Sequence, residues 1–264
     1  MPRVLLFLCL PLAFFPGCSL SDDDDSSVEP SNDDDSAAAV YEPCAFALQD
    51  VCADEVIEAP GADSNAPFLD PFLAVNGVRG GGANGGGLDV FSRDWADANS
   101  ITLGWSGRVV LNGDGADLVV FENAFESSPG VMFMDLAVVE VSMNGLDWAT
   151  FPHDYVASDE SEYSSQADAW QGFAGRSAVL LHEEDNPVDP MDPGIAGGDP
   201  FDLDDLPAGE PGDTIRLEGF RLVRIVSAPS LINPDTGEPF VADAISNGFD
   251  LDGVYAAVLE ESAD

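Results

Sequence analysis

Acidic side chains stand beside glycine and phenylalanine in three well-separated segments of the chain. These segments contain NGDGADLVVFENAF, AGGDPFDL and GFDLDG. Calcium is bound in proteins by about six to eight oxygens, which come from carboxylates, Asn side chains and carbonyls in turns. The pattern therefore predicts a calcium site. Its candidate ligands are Asp117, Glu122, Asn123, Asp199, Asp202, Asp250 and Asp252.

Turn chemistry is a second interpretation of the same acids, because Asp and Asn side chains cap the backbone of their own turns. The two Asp-rich turns, NGDGAD at 112–117 and DLDG at 250–253, are not EF-hands. If Asp250 is taken as the first loop position, Tyr255 stands where the EF-hand needs glycine. Both interpretations remain open at this stage.

Two aromatic residues lie in a polar loop and are candidates for ligand contact. Trp170 and Tyr163 fall in the segment 158–176, which is rich in Ser, Asp and Gln. We predict that Trp170 is exposed and forms a platform for a sugar ring. We expect Trp148 in the core, because it enters the second strand of a predicted hairpin.

Catalytic signatures are scarce, so the sequence predicts that the protein is not an enzyme. The two histidines are His153 and His182, and neither a G-x-S-x-G nor an H-E-x-x-H motif is present. The glycine-rich run 80–87 lacks the lysine of a phosphate-binding loop. A pair of carboxylates, as glycosidases use, stays open because their separation depends on the fold.

Short β-rich runs bounded by Gly, Pro, Asn and Asp recur along the chain, and none resembles a long amphipathic helix. VVEVSMNGLDWATF predicts a hairpin with its turn at Asn144-Gly145. The pattern predicts an all-β fold, an antiparallel β-sandwich with long acidic loops. The predicted strands are 100–105, 108–111, 118–121, 136–142, 148–151, 178–181, 215–217, 221–227 and 253–259.

Three of these segments carry a family resemblance. DLVVFENAF, VEVSMNGLDW and GFDLD resemble the motifs of a family of bacterial cell-surface proteins of poorly known activity. That family is similar in appearance to discoidin-like, galactose-binding-like jelly rolls. The resemblance runs from about Phe68 to Leu259. It implies a jelly-roll topology and a cell-surface location more firmly than any reaction.

The N-terminus has the features of a bacterial lipoprotein signal. Arg3 precedes the apolar run 4–15, which is too short to cross a bilayer, and Gly17-Cys18 resembles a lipobox. We predict a signal peptide over 1–17 and lipidation of Cys18, with simple cleavage and secretion as the alternative. Residues 18–39 then form an acidic tether that cannot bury apolar area.

Two cysteines remain after the signal and the lipidated residue are set aside. Cys44 and Cys52 lie close in sequence, and an oxidising compartment favours a disulfide between them. We predict that this bridge holds a short cap over 40–66. The β-sandwich domain is predicted over 67–262.

The charge balance restricts the partners. The chain has 50 acidic and 8 basic residues and a formal net charge of −42. Such a field repels nucleic acid and attracts cations. We expect a lipid-anchored outer-membrane or cell-surface module, or a periplasmic or secreted one, that binds glycan or envelope material and is stabilised by calcium. The alternatives are a carbohydrate-active enzyme and a structural or adhesion protein.

Overall fold

Short strands joined by turns and long loops make up the described part of this computed structural model, residues 48, 51–94, 99–245 and 248–262. The strands are β1 (Glu55–Glu58), β2 (Phe91–Ser92), β3 (Ser100–Gly104), β4 (Arg108–Val110), β5 (Leu118–Glu122), β6 (Phe125–Ser128), β7 (Val131–Phe133), β8 (Ala137–Ser142), β9 (Ala149–Thr150), β10 (Asp154–Tyr155), β11 (Trp170–Gln171), β12 (Asp199–Phe201), β13 (Leu222–Ser227), β14 (Asp250–Ala256) and β15 (Leu259–Glu261). The helices are α1 (Pro193–Ala196) and α2 (Gly212–Glu218), with 3₁₀ turns at Pro71–Ala74, Ala167–Ala169, Leu203–Asp205 and Ala228–Ser230.

Two antiparallel sheets form the sandwich. One has the strand order β1-β3-β13-β8-β9, and the other has the order β12-β5-β14-β2. The sheets share an apolar core, to which Val139 and Ile225 contribute from the first sheet and Val120 and Leu251 from the second. The predicted antiparallel β-sandwich is thus confirmed. The jelly-roll topology stays a prediction.

Strand β5 is buried along its whole length. Leu118 and Val120 face the core between the sheets. Val119 and Phe121 face the opposite side and pack against a segment that includes Leu181. The acidic segment 182–212, which we call the insertion, follows Leu181, and its residues Val188 and Met191 pack on the same outer face of the second sheet. A strand that is buried on both faces needs a continuous apolar run, as β5 has.

A β-bulge interrupts the pairing of β14 with β5. The register shifts between Leu251 and Gly253, which leaves Asp252 as the extra residue. Leu251 and Val254 both face the core, although strict alternation would place them on opposite faces. Tyr255 then points to the outer side of the sheet. The bulge thus changes which side chains of β14 are inside.

The predicted hairpin is present, since β8 pairs antiparallel with β9. Two other predicted strands are absent among the described residues. Segment 215–217 lies in α2, where Ile215 is buried and Leu217 is 82% exposed. Segment 178–181 contributes only an isolated β-bridge, between Val179 and Gly197. Strand β1 pairs with β3 in the main sheet, so the sandwich begins before residue 67.

The cysteine and anchor predictions fall partly outside the described residues. Cys18 and Cys44 lie there, so lipidation and the Cys44–Cys52 disulfide stay predictions. Cys52 is buried, and its backbone forms an isolated antiparallel β-bridge with Tyr255 of β14. In the part of the chain that the structure describes, no helix is long and apolar enough to cross a membrane.

Candidate functional site

Asp117 is fully buried beside β5, and its carboxylate accepts two backbone hydrogen bonds. The N–H of Gly113 donates to Oδ1 at 2.7 Å, and the N–H of Leu203 donates to Oδ2 at 2.8 Å. Burial raises the pKa of Asp117, while the two amide bonds act in the opposite direction. Nearby, Asp202 accepts from the N–H of Asp204 at 2.8 Å and begins a 3₁₀ turn. Both acids therefore hold turns.

Asp199, at the start of β12, holds the loop that follows β11. The N–H groups of Gly175 and Arg176 donate to its Oδ2 at 2.8 and 2.9 Å. The hydroxyl of Ser177 donates to Oδ1 at 2.8 Å. Burial raises the pKa of Asp199, whereas the hydrogen bonds to its carboxylate and the positive charge of the nearby Arg176 guanidinium act in the opposite direction. The carboxylate is well satisfied where it stands.

The bulged residue Asp252 forms the third such anchor. The N–H of Arg79 donates to both of its carboxylate oxygens, at 3.0 and 3.1 Å. Burial raises the pKa of Asp252 well above its ordinary value. On the same outer side of the sheet, the hydroxyl of Tyr255 donates to Glu183 and accepts from the N–H of Val78. This network fastens the insertion to β14.

Glu122 and Asp250 come together at the other end of β5. The N–H of Asp250 donates to Glu122 Oε1 at 3.0 Å, whereas Glu122 Oε2 is buried without a hydrogen-bond partner. Burial raises the pKa of Glu122 well above its ordinary value, and the charges of Asp135 and Asp250 raise it further. Glu122 and Asp250 are thus two predicted metal ligands that are far apart in sequence and adjacent in the structure.

The seven predicted calcium ligands do not converge on one point. Within the described ranges, no three or more His, Cys, Asp or Glu side chains are grouped so that they could hold a metal ion. Asp202 and Asp117 accept from N–H groups of their own turns, as the turn interpretation expects. Asp199 and Asp252 instead accept from backbone segments that are distant in sequence. Calcium binding stays a prediction.

A cleft of about 350 Å³ lies where two of the sequence motifs meet. We call it the aromatic cleft. Phe125 of the FENAF motif and Asp250 of the GFDLD motif both line it. Its volume is within the range of small-molecule sites, which combine apolar walls with a few placed polar groups. Its lining residues are Phe68, Gly86, Gly87, Leu88, Val90, Ser92, Asn123, Phe125, Phe133 and Asp250.

Aromatic rings form one wall of the cleft. Strands β6 and β7 pair Phe125 with Phe133, and the two rings stack with centroids 5.2 Å apart and planes inclined by 27°. Both side chains are partly exposed. Leu88, at the rim, is 83% exposed. The strand pairing thus presents a rigid apolar surface to solvent.

Gly86 and Gly87 of the glycine-rich loop also line the cleft, and Asn123 holds this loop in place. The N–H of Gly87 donates to Asn123 Oδ1, and Asn123 Nδ2 donates to the carbonyl of Gly87 at 3.1 Å. A Cβ on Gly86 would lie 2.9 Å from Asn123 Nδ2, so the loop can approach this closely only without a side chain there. Asn123, a predicted calcium ligand, is instead the clamp of this loop.

Phe68 has a strained backbone at the edge of the cleft. Its φ is 63°, which makes it the one described non-glycine residue with a positive φ. Its carbonyl accepts a 2.7 Å hydrogen bond from the N–H of Ser92, and its side chain is 40% exposed. Such a conformation costs roughly 1–3 kcal/mol and tends to occur at functional sites.

The predicted sugar platform at Trp170 is wrong. Trp170 is fully buried, and Tyr155 stacks on it with ring centroids 3.8 Å apart. The pairing of β10 with β11 turns the indole inward, where its N–H donates to the carbonyl of Ser164. Tyr163 is partly buried against the same aromatic group and donates to the carbonyl of Met134 at 3.0 Å.

Trp148 also differs from expectation. It is partly exposed, and the guanidinium of Arg224 lies over its ring at 4.1 Å from the centroid. The hairpin turn positions it at the sheet surface, where its indole N–H donates to the carbonyl of Gly145. A cation therefore already occupies one aromatic face.

The sequence singled out Asn123 and Asp250, as calcium ligands, but it did not single out Phe68, Leu88, Phe125 or Phe133 as ligand contacts. The available signal was an apolar residue within a Gly- or Pro-rich segment, as at Leu88. No family model, no curated protein and no solved structure matches the chain. The site is therefore interpreted from its own geometry.

Proposed function

We propose that this protein is a glycan-binding β-sandwich module of the bacterial cell envelope. The observation that carries the proposal is the aromatic cleft at the junction of the FENAF and GFDLD motifs. The C–H faces of a sugar ring pack on aromatic faces, which carry partial negative charge. Asp250 and Ser92 also line the cleft and supply polar groups for sugar hydroxyls.

Support for a binding role comes from how the cleft is built. Strand pairing positions Phe125 and Phe133, and Asn123 holds the glycine-rich loop that also lines the cleft. Rings and loop therefore do not have to be ordered when a ligand arrives, which favours affinity. In the proposal, lipid on Cys18 holds the module at the outer membrane or cell surface through the acidic tether.

Binding of the mature chain to a panel of envelope polysaccharides tests the glycan proposal. We expect Phe125→Ala and Phe133→Ala each to weaken binding by about tenfold, since a buried aromatic contact contributes on the order of 1–2 kcal/mol. Leu217→Ala is the control, because Leu217 is 82% exposed on α2. Equal losses in all three variants would refute the cleft as the site.

The same preparation separates the alternatives. Release of reducing ends from the bound polysaccharide would point to a carbohydrate-active enzyme. Binding to no polysaccharide would leave the structural or adhesion role.

The anchor is tested by mass spectrometry of the membrane-extracted protein. We expect lipid on the N-terminal cysteine and a larger soluble fraction in Cys18→Ala. A free N-terminus in the wild-type protein would favour secretion instead.

A further inference from the structure

The charged residue that lines the aromatic cleft is an acid. Among the described residues that line it, Asp250 carries charge and none is basic. The side-chain amide of Asn123 is engaged with the Gly87 backbone. Asp250 Oδ1 is buried and has no hydrogen-bond partner, while the side chains of Ser92 and Asn123 bond to the carboxyl group. The unpartnered oxygen is closed to solvent, so a ligand would reach the carboxylate through its other oxygen. No basic residue among those that line the cleft neutralises the charge of this carboxylate.

The aromatic rings point to the same ligand chemistry. A cation near the face of an aromatic ring is attracted by the ring quadrupole, and this attraction adds to that of a carboxylate. Phe68, Phe125 and Phe133 all line the cleft that Asp250 lines. A neutral sugar would use the apolar surface and leave the carboxylate without a countercharge, and an anionic sugar would be repelled.

The charge of the whole chain agrees with this choice. With 50 acidic and 8 basic residues, the protein attracts cationic ligands from a distance. This long-range field speeds the encounter but does not select a site. Selection requires local groups, and the cleft combines an acid with three aromatic rings.

We propose that the aromatic cleft binds an amine-bearing sugar, with the ring against the phenylalanines and the ammonium paired with the Asp250 carboxylate. The proposal rests on the glycan-binding function proposed above and specifies its substrate class. Asp250 is then a specificity-determining residue, because it distinguishes a free amine from its acetylated form.

Titration calorimetry with two matched probes tests the proposal on the full mature chain. One probe is a β-1,4-linked glucosamine oligomer below the pKa of its amines, and the other is the same oligomer fully N-acetylated. We expect the amine form to bind about tenfold tighter in the wild-type protein. Asp250→Asn should remove this difference.

The control is Glu218→Gln, which changes the net charge by the same amount. Glu218 is exposed on α2, and α2 packs against the 3₁₀ turn 203–205. That turn is bonded to Asp117, at the opposite end of β5 from the cleft. We expect this variant to retain the preference for the amine. Phe133→Leu keeps the apolar bulk and removes the ring face, so it should reduce the preference several-fold even if Asp250→Asn does not fold.

The outcomes are distinct. Equal affinity for the two probes would overturn the amine preference and leave glycan binding in place. A preference that Asp250→Asn and Glu218→Gln reduce equally would mean diffuse attraction and would also overturn it. If neither probe nor any other polysaccharide binds, both the inference and the proposed function fall.

Discussion

Glu122 is the buried acid whose surroundings match its charge least well. One oxygen accepts from the N–H of Asp250, the other has no partner, and Asp135 and Asp250 add negative potential. Burial therefore raises its pKa in the folded protein above the unfolded value of about 4.5. The folded state binds this proton more tightly, so Glu122 makes stability fall as pH rises from the unfolded pKa through the folded one.

We accordingly expect Glu122→Gln to raise the free energy of unfolding at neutral pH by on the order of 1–3 kcal/mol. The amide keeps an oxygen for the N–H of Asp250 and removes the buried charge. Below the unfolded pKa the gain should vanish, because the wild-type side chain is then neutral in both states. Urea unfolding at about pH 4 and pH 8 measures this. Glu218→Gln, at an exposed site, should change little at either pH, and a gain independent of pH would contradict the argument.

Gly86 has an equally local role. An alanine Cβ there would press on the side chain of Asn123, which holds Gly87 through two hydrogen bonds. We expect Gly86→Ala to cost about 1–3 kcal/mol of stability and to weaken ligand binding in the aromatic cleft. Gly85→Ala is the matched control, since the nearest atom to its Cβ would be 3.6 Å away. Thermal melting and ligand titration of the two variants provide the comparison, and similar behaviour of both would show that the close approach is unimportant.

At the scale of elements, Asp199 joins β12 to the loop after β11. Two backbone N–H groups and the hydroxyl of Ser177 donate to its two oxygens. Asp199→Ala removes both acceptor oxygens, so the buried N–H groups of Gly175 and Arg176 lose their partner. We expect a loss of about 1–3 kcal/mol in denaturant unfolding. Asp185→Ala, in the same insertion with a side chain 86% exposed, should stay within about 0.5 kcal/mol of wild type.

The elements that the sequence predicts best are those with a local cause. Asn144-Gly145 supplies the turn between β8 and β9, and the apolar run of β5 is recognisable without knowing its neighbours. Segment 215–217 misleads because three residues cannot distinguish a strand from a turn of helix. The structure shows a helical pattern there, with Ile215 buried and Leu217 exposed.

The aromatic cleft shows why a site is harder to predict than a sheet. Glu122 and Asp250 meet through the register of β5 against β14, and that register is shifted by a bulge. The sequence marks both acids but not the bulge. Trp170 is the converse case, because its polar neighbours suggested exposure while the β10–β11 pairing buries it.

At the scale of the whole molecule, the acids separate into two populations. Many lie on the surface of the described residues or in the acidic sequence segment 18–39, and they contribute to the net charge of −42. A smaller set is buried, and burial raises the pKa of Asp117, Asp199, Asp250 and Asp252 in that set. Negative charges repel one another more strongly in the compact folded state than in the unfolded chain. Protons or counterions that reduce the charge of either population therefore stabilise the folded state.

Two effects of calcium on stability are possible, binding at a specific site and screening of charge, and thermal melting distinguishes them. The sequence pattern predicts a specific site, which at about a hundredfold excess over Kd would add roughly 2.7 kcal/mol and raise Tm by several degrees. The backbone hydrogen bonds to Asp117, Asp199 and Asp252 satisfy these carboxylates with protein donors, and in that case calcium acts only by screening. If the second interpretation holds, calcium and sodium at matched ionic strength raise Tm equally. A calcium-specific rise that chelator reverses and Asp250→Asn abolishes, while Asp23→Asn in the tether leaves it unchanged, would instead establish the predicted site.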